Sequence, residues 1–363
     1  MEYTTLITEL STEISTEVST ENFTTSNTTN ASRAEVPQYF LNTFYFFEHS
    51  QPFVFALGFT GNVLSFIVFF RGSMRTSVTG FLFRMLALGE LAFLVVDLFI
   101  PMIETYGGIE TVEKTHLGCR LWNHIGYACR DFAAWMLALV SVERVIGVTF
   151  PHKVKTLFTK KRAYIICAVT AALWIFKNGF FYKTIKSYYN PTLDNMYCAN
   201  NIHMSDGWKK FFKFYLTLEF VVYSGIPFCV IFLSNVVILI TLARASKIRA
   251  QATQGSSGIK GQNSMTIILI AVSITYIILS FPICVYGLIP GWNYKLETLY
   301  YVGLFCQYLN HSINFYIYLL TGSRFRAELK SLFWCCFKPE NRSENSTVTE
   351  TMSVNTVATA ANG

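Results

Sequence analysis

Seven long apolar stretches restrict the folds open to this 363-residue chain. A membrane-spanning helix needs roughly 20 mostly apolar residues, and charged residues make up only 14% of the chain, against about 25% in soluble domains. The sequence therefore predicts an all-α membrane protein, a seven-transmembrane helix bundle. The predicted spans are 52–71, 80–104, 118–149, 162–182, 210–243, 264–289 and 298–320.

Several predicted spans carry polar side chains at depths where hydrocarbon would surround them. Polar groups inside a bilayer must find partners within the protein, so these faces are expected to point into the bundle. The interruptions are Glu90, Asp97, Arg130 and Asp131 in the second and third spans, and Gln307, Asn310, His311, Ser312 and Asn314 in the seventh.

Basic residues alternate with the spans. Lys and Arg are concentrated after the first, third and fifth spans and at the start of the tail, whereas the other connections carry mixed charge. The positive-inside rule then predicts a multi-pass plasma-membrane protein with its N-terminus outside the cell. The net charge of +7 reflects this topology. A nucleic-acid partner is not expected, since it would need a basic face on a soluble fold.

Polar segments flank the predicted bundle of residues 51–321. Residues 1–50 are rich in Ser, Thr, Asn and Glu, which predicts disorder, and they lack a signal-peptide core, so the first span is expected to act as the insertion signal. The glycosylation candidates in this segment are the sequon residues Asn22, Asn27 and Asn30. Residues 337–363 are predicted to be a disordered cytoplasmic tail whose phosphorylation would create a charge pattern for arrestin.

A short amphipathic helix is predicted over 322–336, between the bundle and the tail. Its apolar residues fall on one helical face, which favours contact with membrane lipid at the inner surface. Cys335 and Cys336 follow this face and are candidates for palmitoylation.

Two cysteines lie at the predicted outer face. Cys119 lies at the outer end of the third span, and Cys198 lies in the outer connection between the fourth and fifth. Both face the oxidising side of the membrane, where disulfides form. We therefore expect a disulfide that ties this connection to the third helix.

An ordered series of motifs between Gly61 and Cys336 resembles the rhodopsin-like (class A) G-protein-coupled receptors. Two longer stretches, ERVIGVTFPHKVKTLFTKKR and NHSINFYIYLLTGSRFRAELK, look most like invertebrate FMRFamide-type neuropeptide receptors. The motif residues are Gly61-Asn62-Val63, LALGEL ending at Leu91, Cys119, Glu143-Arg144, Trp174, Pro227, Pro282 and Asn314-Phe315-Tyr316-Ile317-Tyr318.

The resemblance implies an activation switch. Arg144 would pair with Glu143 at rest and turn toward Tyr318 and a heterotrimeric G protein when the sixth helix moves outward. This is a bistable element biased by a ligand on the far side. The other switch residues implied are Asn62, Glu90, Asn310, Pro282 and Asn314.

Several positions depart from the family pattern. Glu90 stands where the family usually has Asp, and Ala133 lacks the usual hydroxyl, which argues against the sodium ion that relatives hold there. No metal or other cofactor is expected. Ser280 replaces a common Trp, and Phe315 replaces a Pro, so the bend that Pro favours is not assured.

The ligand is expected to be an extracellular peptide, amidated and FMRFamide-like, that enters between the helices. Three acids near the pocket would suit a peptide Arg or amino terminus. Alternatively, Arg130 and Asp131 are internal partners of Asp97 or Glu219, since buried charges need partners. The ligand-binding candidates are Asp97, Glu104, Trp122, Arg130, Glu219, Tyr286, Gln307 and Tyr308. Gly126 disfavours an amine, because amine receptors carry Asp at that position.

Other functional classes remain as alternatives. Ser280 and Phe315 leave open a constitutively active receptor or an orphan receptor with a non-peptide ligand. A transporter would be expected to show internal repeats, and the sequence has none. The sequence also lacks the HExxH and Gly-x-Ser-x-Gly motifs of hydrolytic enzymes, so the chain is not expected to be an enzyme.

Overall fold

The computed structural model describes residues 37–108, 115–190, 195–200, 205–251, 260–289 and 294–337. Eight principal helices and one β-hairpin make up this part of the chain. The helices are α1 (Gln38–Val68), α2 (Val78–Gly107), α3 (His116–Thr149), α4 (Lys160–Asn178), α5 (206–251), α6 (Lys260–Leu288), α7 (Tyr294–Ser312 and Asn314–Thr321) and α8 (Ser323–Phe337). The hairpin pairs β1 (Ile185–Asn190) with β2 (Asn195–Asn200) in antiparallel register.

Six of the described helices, α1 to α6, contain a segment long and apolar enough to cross a membrane. The seventh crossing is α7, which is interrupted at Ile313. Short helical turns cover Gly72–Met74, Pro151–Leu157 and Phe181–Thr184. We call the end of the bundle that contains Cys119 the disulfide end, and the opposite end the Arg144 end.

Helix α1 begins at Gln38, so the boundary predicted at residue 50 is wrong. Residues 38–50 were assigned to the disordered segment, but they are helical. Phe40 packs on Tyr294 and Phe47 on Tyr301, each with ring centroids 5.4 Å apart. This aromatic packing against α7 stabilises a stretch that is too polar to be counted as part of a span.

Two π-helical turns interrupt the spans on either side of α3. One covers Leu94–Phe99 in α2 and the other Phe220–Gly225 in α5. A π-turn leaves backbone groups outside the regular hydrogen-bond ladder, and α3 supplies a tryptophan to each. Trp122 donates to the carbonyl of Val96 (2.8 Å), and Trp135 donates to the carbonyl of Val222 (3.1 Å).

Helix α7 bends without a proline. The helix is interrupted at Ile313, two residues before Phe315. The Asn62 amide of α1 donates to the His311 carbonyl (2.8 Å), which is the carbonyl that the N–H of Phe315 would meet in an uninterrupted helix. A side chain from another helix therefore supports the bend that the sequence left in doubt.

Helix α8 matches the amphipathic helix predicted over 322–336. Its Phe325 is fully buried and packs against Phe69 and Tyr318 with centroids 5.4 Å away in both cases. The first turn of α8 is thus part of the core at the Arg144 end. The side chains of Cys335 and Cys336 lie outside the described residues.

Candidate functional site

The disulfide end is built around the bond between Cys119 and Cys198, which confirms the predicted pairing. Cys198 lies opposite Ser187 in the hairpin, so the bond joins β2 to the first turn of α3. Arg120 adds a hydrogen bond to the Ile185 carbonyl (3.1 Å), and the N–H of Ser187 donates to His116 (3.2 Å). The hairpin is therefore fixed across the mouth of the bundle.

At the opposite end, Arg144 forms an ion pair with its neighbour Glu143. Nε of Arg144 lies 2.9 Å from Oε2 of Glu143, and the hydroxyl of Thr79 donates to Oε1 of the same carboxylate (3.0 Å). The side chain of Glu143 is only 7% exposed and that of Arg144 16%. The acid predicted as the resting partner of Arg144 is thus bound to it, and α2 contributes a hydroxyl that the sequence analysis missed.

Tyr318 lies apart from this ion pair. Its ring is 1% exposed and packs against Phe69, Phe83 and Phe325 at centroid distances of 5.4 to 5.5 Å. Arg144 and Tyr318 therefore each have their own surroundings, the carboxylate and the aromatic cluster. This is the arrangement that the resemblance implies for a resting state.

A buried polar cluster lies midway along the bundle. Asn314 donates to the carboxylate of Glu90, and both line a cavity of about 10 Å³ together with Ala133, Asn310 and His311. Within the described part of the chain, Oε2 of Glu90 and Oδ1 of Asn314 have no protein hydrogen-bond partner.

This cavity does not fit a sodium ion. It has about the volume needed for one water molecule. Hard cations such as Ca²⁺ and Mg²⁺ take six or more oxygen ligands, whereas the lining supplies carboxylate or amide oxygens only from Glu90, Asn310 and Asn314, and Ala133 supplies none. The described residues also contain no group of three metal-ligating acids, His or Cys. A bridging water would satisfy the two oxygens.

Asp97 lies in the α2 π-turn and points into the bundle. Its Oδ2 accepts a hydrogen bond from the hydroxyl of Tyr308 in α7 (3.0 Å). Its Oδ1 faces α3 at Gly126, where an added Cβ atom would lie only 3.0 Å away. The absence of a side chain at Gly126 therefore gives the carboxylate its place against α3. Asp97 is partly buried, and side chains or backbone of α3 and α7 contact it.

Arg130 lies one helical turn farther along α3 than Gly126. Its guanidinium carbon lies 4.1 Å from the ring centroid of Tyr127 and 4.2 Å from that of Tyr223, distances typical of cation–π contacts. Gln307 donates to the Tyr223 hydroxyl (3.3 Å). Since Gln307 precedes Tyr308, neighbouring residues of α7 contact both the Asp97 carboxylate and the ring that holds Arg130.

The remaining pocket candidates are more dispersed. Tyr286 of α6 packs on Tyr300 of α7 with centroids 5.0 Å apart, and Glu104 lies half-buried in the last turns of α2. The side chain of Glu219 lies outside the described residues, as do Asn22, Asn27 and Asn30.

Asp131 has partners in α4 that the sequence analysis did not propose. Its carboxylate binds Lys177 (2.8 Å) and Asn178 (3.0 Å). Tyr215 of α5 donates to Asn178 (2.7 Å), so the network joins three helices. The signal available in the sequence was Lys177, a charge within the fourth predicted span.

A second basic residue, Arg84, was also missed. It is buried at the Arg144 end of α2 and donates to the carbonyl of Phe69 (2.7 Å) just after the end of α1. A cation at a helix C-terminus complements the helix dipole. Arg84 thus stabilises the turn between α1 and α2.

A large cavity lies away from the polar site. It has a volume of about 780 Å³, lies between α2, α3 and α4, and is lined mainly by apolar residues such as Leu88, Phe132 and Ala171. Exposed apolar side chains of α4, including Leu173 and Phe176, surround this side of the bundle. The cavity therefore faces hydrocarbon and is separate from the Asp97–Arg130 cluster.

Comparisons with known proteins agree with this architecture. Residues 61–318 match the family model of the 7 transmembrane receptor (rhodopsin family). A curated relative, the FMRFamide receptor of Drosophila melanogaster, is 23% identical over 293 residues, or 77% of this chain. The chain spans about half (52%) of that relative's length. The chain belongs to the rhodopsin family of seven-transmembrane receptors.

Proposed function

We propose that this receptor is activated by an extracellular amidated neuropeptide, similar to FMRFamide, and signals through heterotrimeric G proteins. The observation that supports this proposal most directly is the ion pair between Arg144 and Glu143 at the end of α3 opposite the disulfide. The hydroxyl of Thr79 also donates to the Glu143 carboxylate. A pair of this kind can be broken by movement of neighbouring helices, which makes it a suitable two-state element. The relative's name supports the choice of ligand class.

The orientation of the bundle across the membrane follows from the same proposal. The disulfide end faces the cell exterior, where the ligand enters, and the Arg144 end faces the cytosol, in agreement with the basic connections on that side. With this orientation the chain is a multi-pass plasma-membrane protein whose N-terminal segment lies outside the cell. Asn22, Asn27 and Asn30 are then available for glycosylation. The phosphorylated tail would bind arrestin, and Cys335 and Cys336 would carry palmitate against membrane lipid.

The test is a panel of amidated neuropeptides applied to cells that express the chain with a promiscuous G protein. We expect at least one peptide to give a saturable response that depends on the receptor. If no amidated peptide acts while the receptor is present at the cell surface, the ligand class is wrong.

Arg144→Ala tests the switch with the same assay. We expect the variant to reach the cell surface and to lose most of the response. The reason is that the guanidinium of Arg144, which the variant lacks, would contact the G protein in the active state. Arg162→Ala is a matched control, since Arg162 is exposed and caps the nearby carbonyl of Thr156 (2.7 Å). An unchanged response in Arg144→Ala would contradict the assignment.

A further inference from the structure

The small cavity midway along the bundle is surrounded by polar atoms that lack protein partners. Among the described residues, four buried atoms here have no hydrogen-bond partner: Oε2 of Glu90, Oδ1 of Asn314 and both ring nitrogens of His311. All three residues line the cavity, whose volume is about 10 Å³. A cavity of that size has room for about one water molecule, so these residues converge on a single point. Polar groups within a membrane must be satisfied internally, so the hydrogens around this point must be shared between donors and acceptors.

The charge of the cavity wall determines how many protons the cluster holds. Within the described part of the chain, no Lys or Arg lines the cavity. An ionised Glu90 beside a neutral His311 would therefore leave a buried negative charge with no cation in the wall, which is costly inside a membrane. One added proton removes this charge. The pair is neutral overall whether that proton lies on the carboxyl group or on the imidazole.

The hydrogen-bonding capacity of the four atoms leads to the same number of protons. Without the added proton they comprise one donor, an imidazole N–H, and three acceptors. With the added proton they comprise two donors and two acceptors, which can satisfy one another directly or through a water molecule. The side chain of Asn310 also lines the cavity, but it carries both a donor and an acceptor and leaves the balance unchanged.

We propose that Glu90 and His311 bind one proton between them and that this proton lies on the carboxyl group of Glu90. The protonated carboxyl group keeps Oε1 as the acceptor for Asn314 and gains an O–H donor at Oε2. The cavity is thus a proton-binding site that joins α2 to α7 beside the interruption at Ile313. The inference does not depend on which ligand activates the receptor.

The other titratable groups around the pair explain why the proton lies on Glu90. Tyr276 of α6 lines the cavity and Tyr318 of α7 interacts electrostatically with Glu90, but tyrosines are ordinarily neutral near pH 7. Arg130 of α3 acts electrostatically on His311. Because an arginine is permanently charged, it would repel an imidazolium, and the proton is therefore more stable on the acid.

Proton binding makes the stability of the receptor depend on pH. In the unfolded chain, ordinary Glu and His side chains bind almost no proton above about pH 7.5, whereas the folded pair retains one. The unfolded state then binds fewer protons, so the ratio of folded to unfolded protein falls as pH rises, by up to about tenfold per pH unit. Below about pH 6 an unfolded His also carries a proton. Both states then bind one proton, and this dependence disappears.

The test is the thermal-unfolding temperature of the full-length receptor in detergent, measured from about pH 6 to about pH 9 for wild type and Glu90→Gln. Glutamine is a neutral isostere of the protonated acid and has a permanent N–H donor. We expect the two proteins to unfold at similar temperatures near the acidic limit. Wild type should then lose stability relative to Glu90→Gln as pH rises. The comparison isolates the pair, because all other titratable groups are common to both proteins.

Glu48→Gln is the matched control, an acid-to-amide change in α1 outside the cavity, and it should keep the wild-type pH dependence. An infrared difference spectrum between wild type and Glu90→Gln at neutral pH should contain the C=O stretch of a protonated carboxyl group. The proposal is wrong if the unfolding temperatures of wild type and Glu90→Gln change in parallel with pH, or if the carboxyl band is absent. Failure of Glu90→Gln to fold near the acidic limit would also contradict it, since a neutral isostere should be tolerated there.

Discussion

Lys177 shows how one residue can join helices through a charge. It is paired with Asp131, whose side chain is fully buried, and it lies 5.2 Å from the ring centroid of Trp174. Removal of one partner from a buried ion pair leaves an uncompensated charge and typically costs about 3–5 kcal/mol. The contact between α3 and α4 therefore depends on both residues being present.

We expect Lys177→Met to lower the thermal-unfolding temperature of the receptor in detergent, with a loss near the lower end of that range, because the side chain of Lys177 is 16% exposed. The double variant Asp131→Asn/Lys177→Met should be more stable than Lys177→Met alone, since it carries no unpaired acid. A double variant whose loss equals the sum of the two single losses would show that the two groups are not coupled.

For individual residues, the sequence indicated which charged side chains lie within the bundle, but it did not identify most of their partners. The Glu143–Arg144 pair was predicted because the partners are adjacent and belong to a known motif. Lys177, Thr79 and Arg84 were missed because each meets its partner across two elements, and the rotation of one helix against another is not readable from a single sequence. For the same reason the sequence did not identify Lys177 and Asn178 as partners of Asp131.

Among the elements, α7 depends most on a neighbouring helix. Its bend at Ile313 coincides with the hydrogen bond from Asn62 to the His311 carbonyl, and both residues are buried. A buried carbonyl without a donor costs about 1–3 kcal/mol. The bend is therefore a property of α1 and α7 together.

Asn62→Leu should reduce stability by about that amount, measured as a lower unfolding temperature, because the substitution removes the only amide that reaches this carbonyl among the described contacts. Thr60→Val is the control on the same helix. Thr60 is exposed, and its hydroxyl bonds to the Ala56 carbonyl of its own helix. Equal effects of the two substitutions would argue against a supporting role for Asn62.

The apolar pattern predicted every span but not the interruptions within them. The hydropathy pattern placed α2, α3, α4 and α6 within a few residues of their apolar segments, whereas the span predicted from residue 210 begins well before the apolar segment Val221–Ala245 of α5. It did not indicate the π-turns at Leu94–Phe99 and Phe220–Gly225, because these depend on tryptophans donated by α3. It also placed the start of α1 too late, since aromatic contacts with α7 extend the helix beyond the apolar run.

Helix α3 connects two polar regions of the molecule: Asp97 and Arg130 lie toward the disulfide end, and the ion pair of Glu143 and Arg144 lies at the other end. Under the proposed function this arrangement predicts low activity without ligand, because Glu143 binds both Arg144 and Thr79. A constitutively active receptor would require the interactions of Glu143 with Arg144 and Thr79 to be weak. The balance between the two states is set by differences of only a few kcal/mol.

Glu143→Gln should therefore raise ligand-independent G-protein activation. A partly exposed ion pair contributes about 1 kcal/mol, which corresponds to an increase of about fivefold in the ratio of active to resting receptor. Thr79→Val, which removes one neutral donor, should give a smaller increase. Basal activity that is high in wild type and unchanged in Glu143→Gln would favour the constitutive alternative.

The attachment of α8 has a consequence for the palmitoylation proposed at Cys335 and Cys336. Gly72 adopts a φ of +49° and comes so close to Glu328 of α8 that a side chain there would overlap the carboxylate, while Phe325 is enclosed by aromatic rings. The helix is thus docked through its first two turns, and Cys335 and Cys336 lie near its other end. Cycles of fatty-acid addition and removal at those cysteines would change how firmly the far end adheres to the bilayer and leave the docked turns where they are. Acylation could then adjust the residence of the receptor in a membrane region without altering the surface that it offers to its cytosolic partners.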